Sequence, residues 1–291
     1  MEYRLVKQLK DRSELRESFF SLAEKVFDIH LDRWYQRGYW TKRYVPYAIV
    51  HGNRVVANAS VNRMDMIWEG RERRYIQLGT VMTHEEYRGR GFARRLLGEI
   101  LDDWKDQCDG VFLFANDTVL DFYPRFGFHR EQEYQHVLKL SGTGESDSFR
   151  KLDMDDAEDR ELMKAFCGKS NPYSRLSMSD DGGLVMFYCD SLLRDCIYYC
   201  RKYEAVVVGM AGGSDFTCFD IFCEEKRAEL GELISCMMPA GADRAILGFT
   251  PAEEEECSCL PIEDEDYLFV LDGKETPFSE SRLMFPLLSH A

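Results

Sequence analysis

The sequence predicts a mixed α/β fold, an α+β arrangement with a mixed sheet in each of two similar domains. Its 291 residues are typical of two domains rather than one. Strand-like and helix-like segments follow each other in the same order in both halves, as expected for mixed sheets with flanking helices. Residues 140–148 read LSGTGESDS, the small, polar composition of a linker. We therefore expect domains over residues 1–142 and 148–291.

Apolar spacing and turn residues give the elements of the first half. Apolar residues recur at helical spacing from Leu15 to Val26, and Gly52-Asn53 between two strand-like runs is typical of a hairpin. An apolar stripe along residues 89–107 predicts an amphipathic helix. In chain order we expect a strand over 2–7, helices over 13–27 and 32–37, strands over 44–51, 54–65 and 75–83, a helix over 89–107, a strand over 111–115, a helix over 118–125, and strands over 128–130 and 133–140.

The second half repeats this order. From Phe149 the sequence reads as a strand followed by the acidic start of a helix, and this order resembles that of the segment from Arg4 to Ser18. Further along we expect strands over 196–200, 205–212 and 217–222, a helix over 228–238, and strands over 244–249, 267–271 and 283–288.

Charge and composition exclude some partners. The net charge is −15, and residues 151–291 carry 29 acidic against 13 basic side chains. Nucleic-acid binders are normally basic, whereas an acidic half could attract a cationic substrate or only provide solubility. No apolar run approaches the roughly 20 residues that cross a bilayer, and the charged start of the chain is unlike a secretory signal. We expect a cytoplasmic protein without nucleic-acid or membrane partners, and association with a second copy stays open.

The ten cysteines predict neither disulfides nor a metal site. Without an export signal, a reduced cytoplasmic protein is expected. Cys257 and Cys259 form the one tight pair, and no second Cys/His pair stands at zinc-ligand spacing. We therefore expect no metal.

An anion site is predicted where the strand ending at Thr83 runs into a helix. The first N–H groups of a helix lack intrahelical partners and its N-terminus is electropositive. Gly89 and Gly91 expose backbone there, Arg88 and Arg90 add positive charge, and the small Ala93 leaves room near the first turn. These residues describe a pyrophosphate cradle, while the P-loop pattern is absent and the third glycine of a dinucleotide fingerprint is missing.

The run from Arg88 to Ala93, RGRGFA, resembles the [QR]-x-x-G-x-[GA] acetyl-CoA signature of the GNAT superfamily of N-acetyltransferases. A second segment, from Asn116 to Phe128, resembles that superfamily's N-x6-Y-x-x-x-G-F element, and the two occur in the expected order. The resemblance covers residues 1–140. It implies a catalytic domain in the first half that binds acetyl-CoA as cosubstrate.

The resemblance also implies residue roles. Val81, Met82 and Thr83 would bind the pantetheine arm beside a splayed sheet. The pyrophosphate would be held by Arg88, Gly89, Arg90, Gly91, Phe92 and Ala93. Asn116 would contact the CoA arm or, alternatively, cap the following helix. Tyr123 would protonate the departing thiolate, unless it is an ordinary core aromatic residue.

The general base is open. Many superfamily members place a Glu where this chain has Gln77, which does not accept a proton at neutral pH. His84, Glu85 and Glu86 stand nearby, but each is expected to order the loop or face solvent.

The second half lacks both the R-x-x-G-x-[GA] pattern and the glycine cradle, which predicts a degenerate GNAT-like domain without a CoA site. The alternative is an unrelated α/β domain. Such a tandem resembles the enhanced intracellular survival (Eis) family. That family uses its C-terminal carboxylate as the base, so the Ala291 carboxylate, or His290, becomes a candidate base. The alternative is a frayed terminus.

The acceptor is predicted only as a class. Trp34, Tyr35, Tyr39 and Trp40 lie where GNAT proteins vary their acceptor wall, and could clamp an amine by cation–π contact or be half-buried packing. We expect an acetyl-CoA-dependent N-acetyltransferase acting on a primary amine of a small cationic substrate, aminoglycoside- or polyamine-like, by direct attack. The alternatives are a non-catalytic acyl-CoA sensor or partner-binding module, and a peptide or protein N-acetyltransferase.

Overall fold

The computed structural model describes residues 2–144, 148–180, 182–253, 257–263, 266–278 and 281–291. Its strands in chain order are β1 (Tyr3–Lys7), β2 (Tyr44–His51), β3 (Arg54–Trp68), β4 (Arg71–Thr83), β5 (Gly110–Asn116), β6 (Phe128–Arg130), β7 (Tyr134–Lys139), β8 (Phe149–Lys151), β9 (Leu176–Met178), β10 (Ile197–Cys200), β11 (Ala205–Gly212), β12 (Asp215–Cys223), β13 (Arg244–Leu247), β14 (Cys257–Pro261) and β15 (Asp266–Leu271). Its helices are α1 (Ser13–Phe27), α2 (Asp32–Gln36), α3 (Phe92–Trp104), α4 (Ala157–Cys167), α5 (Gly183–Cys189) and α6 (Leu230–Met237).

The mixed α/β fold is confirmed, and the strands form two sheets of matching order. The first runs β1-β2-β3-β4-β5-β15-β6, with β9 added to β3, and the second runs β8-β10-β11-β12-β13-β7-β14. In each sheet the fourth and fifth strands of these paths are parallel neighbours, β4 with β5 and β12 with β13. The predicted repetition of element order is therefore a repetition of sheet topology.

The two sheets exchange their sixth strands. β15, from the second half, pairs with both β5 and β6 of the first sheet. β7, from the first half, pairs with both β13 and β14 of the second sheet. The strands expected over 133–140 and 267–271 thus exist, but each completes the sheet of the other half. The boundary at residues 142 and 148 stays a prediction, with residues 145–147 of the linker outside the described ranges.

Beyond small shifts in the bounds of other strands and helices, three expected elements differ from the structure. α3 begins at Phe92 rather than at residue 89, because Gly89 and Gly91 adopt positive φ of 74° and 76°, which a right-handed helix does not contain. The helix expected over 118–125 is instead two short 3₁₀ turns, Asp117–Val119 and Tyr123–Phe126. The strand expected over 283–288 is wrong: this apolar run passes between the two halves without sheet pairing and ends in a 3₁₀ turn, Leu287–Ser289.

Three apolar clusters form the core. One lies under α3, on one face of the first sheet, and one lies on the second sheet and includes Leu138 of β7. The largest joins the halves, because it contains Phe112 of β5, Val206 of β11 and Phe285 of the terminal run. Within the described residues, no helix combines the length and apolar character needed to span a membrane.

Glu133 lies buried on the crossover between β6 and β7. Its Oε1 accepts the N–H of Phe285 at 2.7 Å, and burial raises the pKa of this carboxyl to about 8. The group is therefore neutral in the folded protein at pH values where it would be ionised in the unfolded chain. The protonated carboxyl makes its full contribution to the free energy of unfolding below pH 4.5, the pKa of an ordinary Glu. This contribution is lost as the pH rises through about 8.

Glu133→Gln should remove this dependence, since the amide keeps the contact with Phe285 and does not ionise. Between pH 5 and 8.5 we expect the free energy of unfolding of the wild type to fall relative to Glu133→Gln by about 3–4 kcal/mol. Denaturant unfolding across this pH range measures the difference. The exposed Glu17→Gln should track the wild type, and parallel curves for Glu133→Gln and the wild type would refute the assignment.

Candidate active site

The first sheet opens between β4 and β5. The two strands pair from Tyr75 with Gly110 to Leu78 with Leu113. Beyond that point β4 continues to Thr83 and β5 to Asn116, and the far edge of β5 is taken by β15. The backbone of residues 79–83 therefore faces a wedge that an extended ligand can enter as an added strand. Val81, Met82 and Thr83, expected to bind the pantetheine arm, lie along this wedge.

A bulge shapes the wedge at Thr80. The β3–β4 register shifts between Asn58 and Ser60, and Thr80 has a φ of 50°, a conformation that costs a non-glycine residue energy. The Asn58 amide donates to the Thr80 carbonyl at 3.0 Å, and the Tyr44 hydroxyl lies 3.0 Å from Thr80 Oγ1. Burial raises the pKa of Tyr44 to about 12, so the hydroxyl stays neutral. Sequence reasoning missed these bulge-holding residues.

The predicted cradle follows directly. Gly89 and Gly91 both have positive φ, and a β-carbon on either would meet open space. Gly91 is the N-cap of α3, no side chain caps this end, and no acidic residue stands in the first turn. The free N–H groups and alternating glycines form a concave, electropositive nest suited to a phosphate.

The other cradle residues fall into two groups. Arg88 and Arg90 are exposed, with Arg88 Nε 3.4 Å from the Thr83 carbonyl and Arg90 donating to Tyr3 at 2.7 Å. Phe92 is buried against Tyr3, with ring centroids 4.9 Å apart, so only its backbone faces the nest. The half-buried Ala93 keeps the first turn clear.

His84 and Glu85 anchor the loop that enters the cradle. Burial first, then the cations Arg54 and Lys25, lower the pKa of His84. Its Nε2 lies 2.7 Å from an Arg54 guanidinium nitrogen. Glu85 accepts a hydrogen bond from Lys25 at 2.6 Å, which lowers its pKa. His84 holds the loop to β3, in line with the expectation that it orders the loop, and Glu85 is exposed, as expected, while its carboxylate pairs with Lys25 of α1.

Asn116 ends β5, and Tyr123 begins the second of the two 3₁₀ turns that follow it. Asn116 is exposed, and its Oδ1 accepts from the backbone N–H of Thr118 at 3.1 Å, which is the capping alternative. The Tyr123 ring packs against Phe128 and Phe269 in the cluster under α3. Burial raises the pKa of Tyr123 to about 12. The phenol is therefore protonated at neutral pH, as an acid must be.

Ala291 reaches the wedge on the face of the first sheet that is opposite to α3. A β-carbon placed on Gly79 would lie 2.6 Å from the main-chain oxygen of Ala291 and 2.9 Å from its carbonyl carbon. The same β-carbon would lie 3.1 Å from the Asn62 amide nitrogen. Gly79 thus allows the last residue of the sequence to lie directly on β4, next to the bulge at Thr80. Glycine in a strand interior marks such close backbone approaches.

The segment before Ala291 is held in place. Phe285 stacks on Phe112 with ring centroids 3.9 Å apart, and His290 stacks on Phe114 at 3.8 Å. The Tyr188 hydroxyl donates to the His290 carbonyl at 2.6 Å. These contacts hold the terminal segment against β5 and α5, so it is not frayed. The His290 ring is packed on Phe114 of β5.

Gln77, which stands where the GNAT resemblance led us to look for a base, is fully buried on β4. Neither of its amide atoms has a hydrogen-bond partner among the described residues. Gln77 therefore supplies no base. Across those same residues, no group of three His, Cys, Asp or Glu side chains could hold a metal ion.

The predicted acceptor aromatics are mostly packing. Trp40 is 1% exposed, and neither Trp40 nor Tyr39 lines the groove beside Ala291. Tyr35 lies under the Arg16 guanidinium, 4.1 Å from the ring centroid. Trp34 alone of the four reaches this groove beside Ala291. We call this the terminal groove; it is lined by Ile29, Leu31, Trp34, Tyr44, Asn62, Thr80, Leu184, Phe187 and Ala291.

The equivalent wedge of the second sheet is closed. β12 and β13 pair as far as Cys218 with Leu247, and the next residue, Gly248, donates its N–H to the Cys218 carbonyl at 2.7 Å. A β-carbon on Gly248 would lie 2.4 Å from the Phe219 carbonyl oxygen, so main chain fills the opening. The N-cap of α6 is Glu229, which disfavours an anion.

Comparisons with known proteins agree with this geometry. Residues 8–130 match a family model for the acetyltransferase (GNAT) domain. A probable N-acyltransferase from Enterococcus faecalis V583, a conserved protein of unknown function, is 13% identical, covering 93% of this chain and 72% of that one at a TM-score of 0.56. A GCN5-related N-acetyltransferase from Kribbella flavida is 14% identical (92% and 71%, TM-score 0.51). Eis1 from Mycobacterium abscessus is 10% identical (92% and 73%, TM-score 0.53). At these identities the likeness shows the fold alone, and no curated protein sequence matches significantly.

Proposed function

We propose that this chain, whose residues 8–130 form a GNAT acetyltransferase domain in a fold resembling that of Eis1, transfers the acetyl group of acetyl-CoA to a primary amine. The observation that carries the proposal is the wedge between β4 and β5, which ends at the glycine nest before α3. An extended thioester arm fits the wedge as an added strand, and a diphosphate fits the nest.

In the proposed site the cosubstrate lies along residues 79–83, with its pyrophosphate on the backbone N–H groups from Gly89 to Ala93. Arg88 and Arg90 supply charge at the nest. Asn116 stands at the end of β5, on the other side of the arm. Of the two sheets formed by the described residues, the first offers this arrangement, whereas main chain fills the wedge of the second. The second half would act as a scaffold that seats the terminal segment.

The reaction proposed is direct attack of the neutral amine on the thioester carbonyl. An amine arrives as an ammonium ion and must first lose a proton. We propose the Ala291 carboxylate as the acceptor of that proton, because it lies beside Gly79 and Thr80 where β4 leaves β5. Tyr123 lies in the cluster on the other face of the sheet and would protonate the departing thiolate. Acid and base would thus approach the wedge from opposite faces.

Tyr123→Phe tests the acid. The variant keeps the ring contacts with Phe128 and Phe269 and removes only the hydroxyl, so we expect the affinity for CoA to stay within about twofold. Turnover should fall by about 10²-fold, the usual range for a general acid. CoA titration and thiol release with a panel of amines measure the two quantities. Unchanged turnover would remove Tyr123 from the mechanism. CoA binding without amine-dependent thiol release in the wild type would instead favour an acyl-CoA sensor.

A further inference from the structure

The terminal groove indicates the acceptor. Resting on the proposed acetyl transfer, we infer that the substrate is a monoamine carried on an apolar aryl or branched alkyl group, rather than a polycation. This inference narrows the substrate class of the proposed site and departs from the polyamine-like acceptor suggested by net charge.

The lining of the groove is apolar except at its inner end. Ile29 and Leu31 come from the segment between α1 and α2, and Leu184 and Phe187 from α5 of the second half. None of the described residues that line it is Asp or Glu. The polar groups of the lining, those of Asn62, Thr80 and Ala291 and the Tyr44 hydroxyl beside Thr80 Oγ1, lie at the inner end, where the proposed reaction places the reacting nitrogen. The substituent of an amine placed there lies among hydrocarbon side chains. Because burying apolar surface is favourable, this environment favours an apolar substituent.

Trp34 gives the groove a flat, fixed wall. Its indole N–H donates to the Gly183 carbonyl at 2.7 Å, and its ring stacks on Trp40 at a centroid distance of 5.8 Å. Phe187 meets it edge-on, at 6.2 Å and 86°. Aromatic walls at these angles suit a planar or branched apolar group.

Three acidic side chains of the second half that contact or border the first half, Asp155, Asp180 and Asp190, are engaged elsewhere. Asp190 is paired with Arg33 and Arg37, and Asp155 with Arg33 and Arg194. Asp180 borders an adjoining cavity, where it accepts the N–H of Gly182 at 2.8 Å. Several ammonium groups would need several available carboxylates around the groove, and the described part of its lining supplies only that of Ala291.

Thiol release from acetyl-CoA tests the inference with ethylamine, isopentylamine, 2-phenylethylamine, putrescine, spermidine and an aminoglycoside. We expect kcat/KM to rise at least about tenfold from ethylamine to 2-phenylethylamine, as added apolar groups do in apolar pockets, and to exceed that for spermidine. A higher kcat/KM for spermidine or the aminoglycoside would overturn the inference while leaving acetyl transfer intact. If none of these amines supported thiol release from acetyl-CoA, both the proposed function and the inference would be overturned.

Three variants test whether the terminal groove determines the preference among amines. Phe187→Ala should reduce the preference for 2-phenylethylamine over ethylamine about tenfold. Leu184→Asp should shift the ratio toward putrescine, because it adds a carboxylate to the groove. Leu192→Ala, a 73% exposed leucine after α5, is the matched control and should leave all ratios unchanged. An unchanged amine preference in both groove variants, with CoA binding intact, would place the acceptor elsewhere.

Discussion

Gly79→Ala is expected to lower kcat by about 10²-fold or more, the usual cost of displacing a general base. The added methyl would lie 2.6 Å from the main-chain oxygen of Ala291, far inside van der Waals contact. β4 is fixed by pairing on both sides up to Leu78, so we expect the terminal segment to move. The free energy of unfolding should fall by about 1–3 kcal/mol, as for other overpacked sites. Steady-state kinetics and denaturant unfolding measure the two effects.

Gly98→Ala is the matched control for Gly79→Ala. Gly98 lies in α3 with nothing within 4 Å of the added carbon, and alanine there should stabilise the helix by about 0.5–1 kcal/mol without loss of turnover. A second variant, with Gly-Ser appended after Ala291, displaces the carboxylate while leaving the sheet untouched. If Gly79→Ala lowers stability and both it and the extended chain keep normal kcat, the Ala291 carboxylate is not the base.

Gly91→Ala is expected to weaken CoA binding by about tenfold or more. Gly91 has a φ of 76°, and an L residue in this region costs roughly 1–2 kcal/mol. The strain is relieved by rotating the peptide, which turns N–H donors out of the nest just before α3. CoA dissociation constants from calorimetry measure the loss.

The control for this variant must carry the same strain away from the nest. Gly213 turns between β11 and β12 with a φ of 63° and open space at its β-carbon. Gly213→Ala should therefore lower stability by a similar amount and leave CoA affinity unchanged. Equal CoA affinity in Gly91→Ala and the wild type would show that the nest does not hold the pyrophosphate.

Local patterns in the sequence were enough to predict the elements around the nest. Apolar spacing gave α1 at the observed bounds, Ser13–Phe27, and the glycine–arginine run before α3 indicated the nest itself. Both signals lie within a few residues of chain. The positive φ of Thr80 had no such signal, because its partners Tyr44 and Asn58 are distant in sequence.

The seat of Ala291 and the strand exchange depend on contacts across the whole chain. Periodicity identified residues 133–140 as a strand, but a strand has the same alternation in either sheet, so its partner could not be assigned. Gly79 offered one usable signal, since glycine inside a strand marks close approach of another backbone. The sequence alone does not say that this backbone is that of Ala291.

The exchange of β7 and β15 also sets the order in which the protein can be completed during synthesis. The first sheet needs residues 266–271 between β5 and β6, and these leave the ribosome after most of the chain has been translated. From Asn116 to Asp266 the ribosome adds 150 residues, which takes about 8–30 seconds at about 5–20 residues per second. During that time the edge of β5 has no partner strand. The earliest segments translated are thus among the last to gain a finished sheet, and a nascent chain of this kind depends on protection from edge-to-edge aggregation until then.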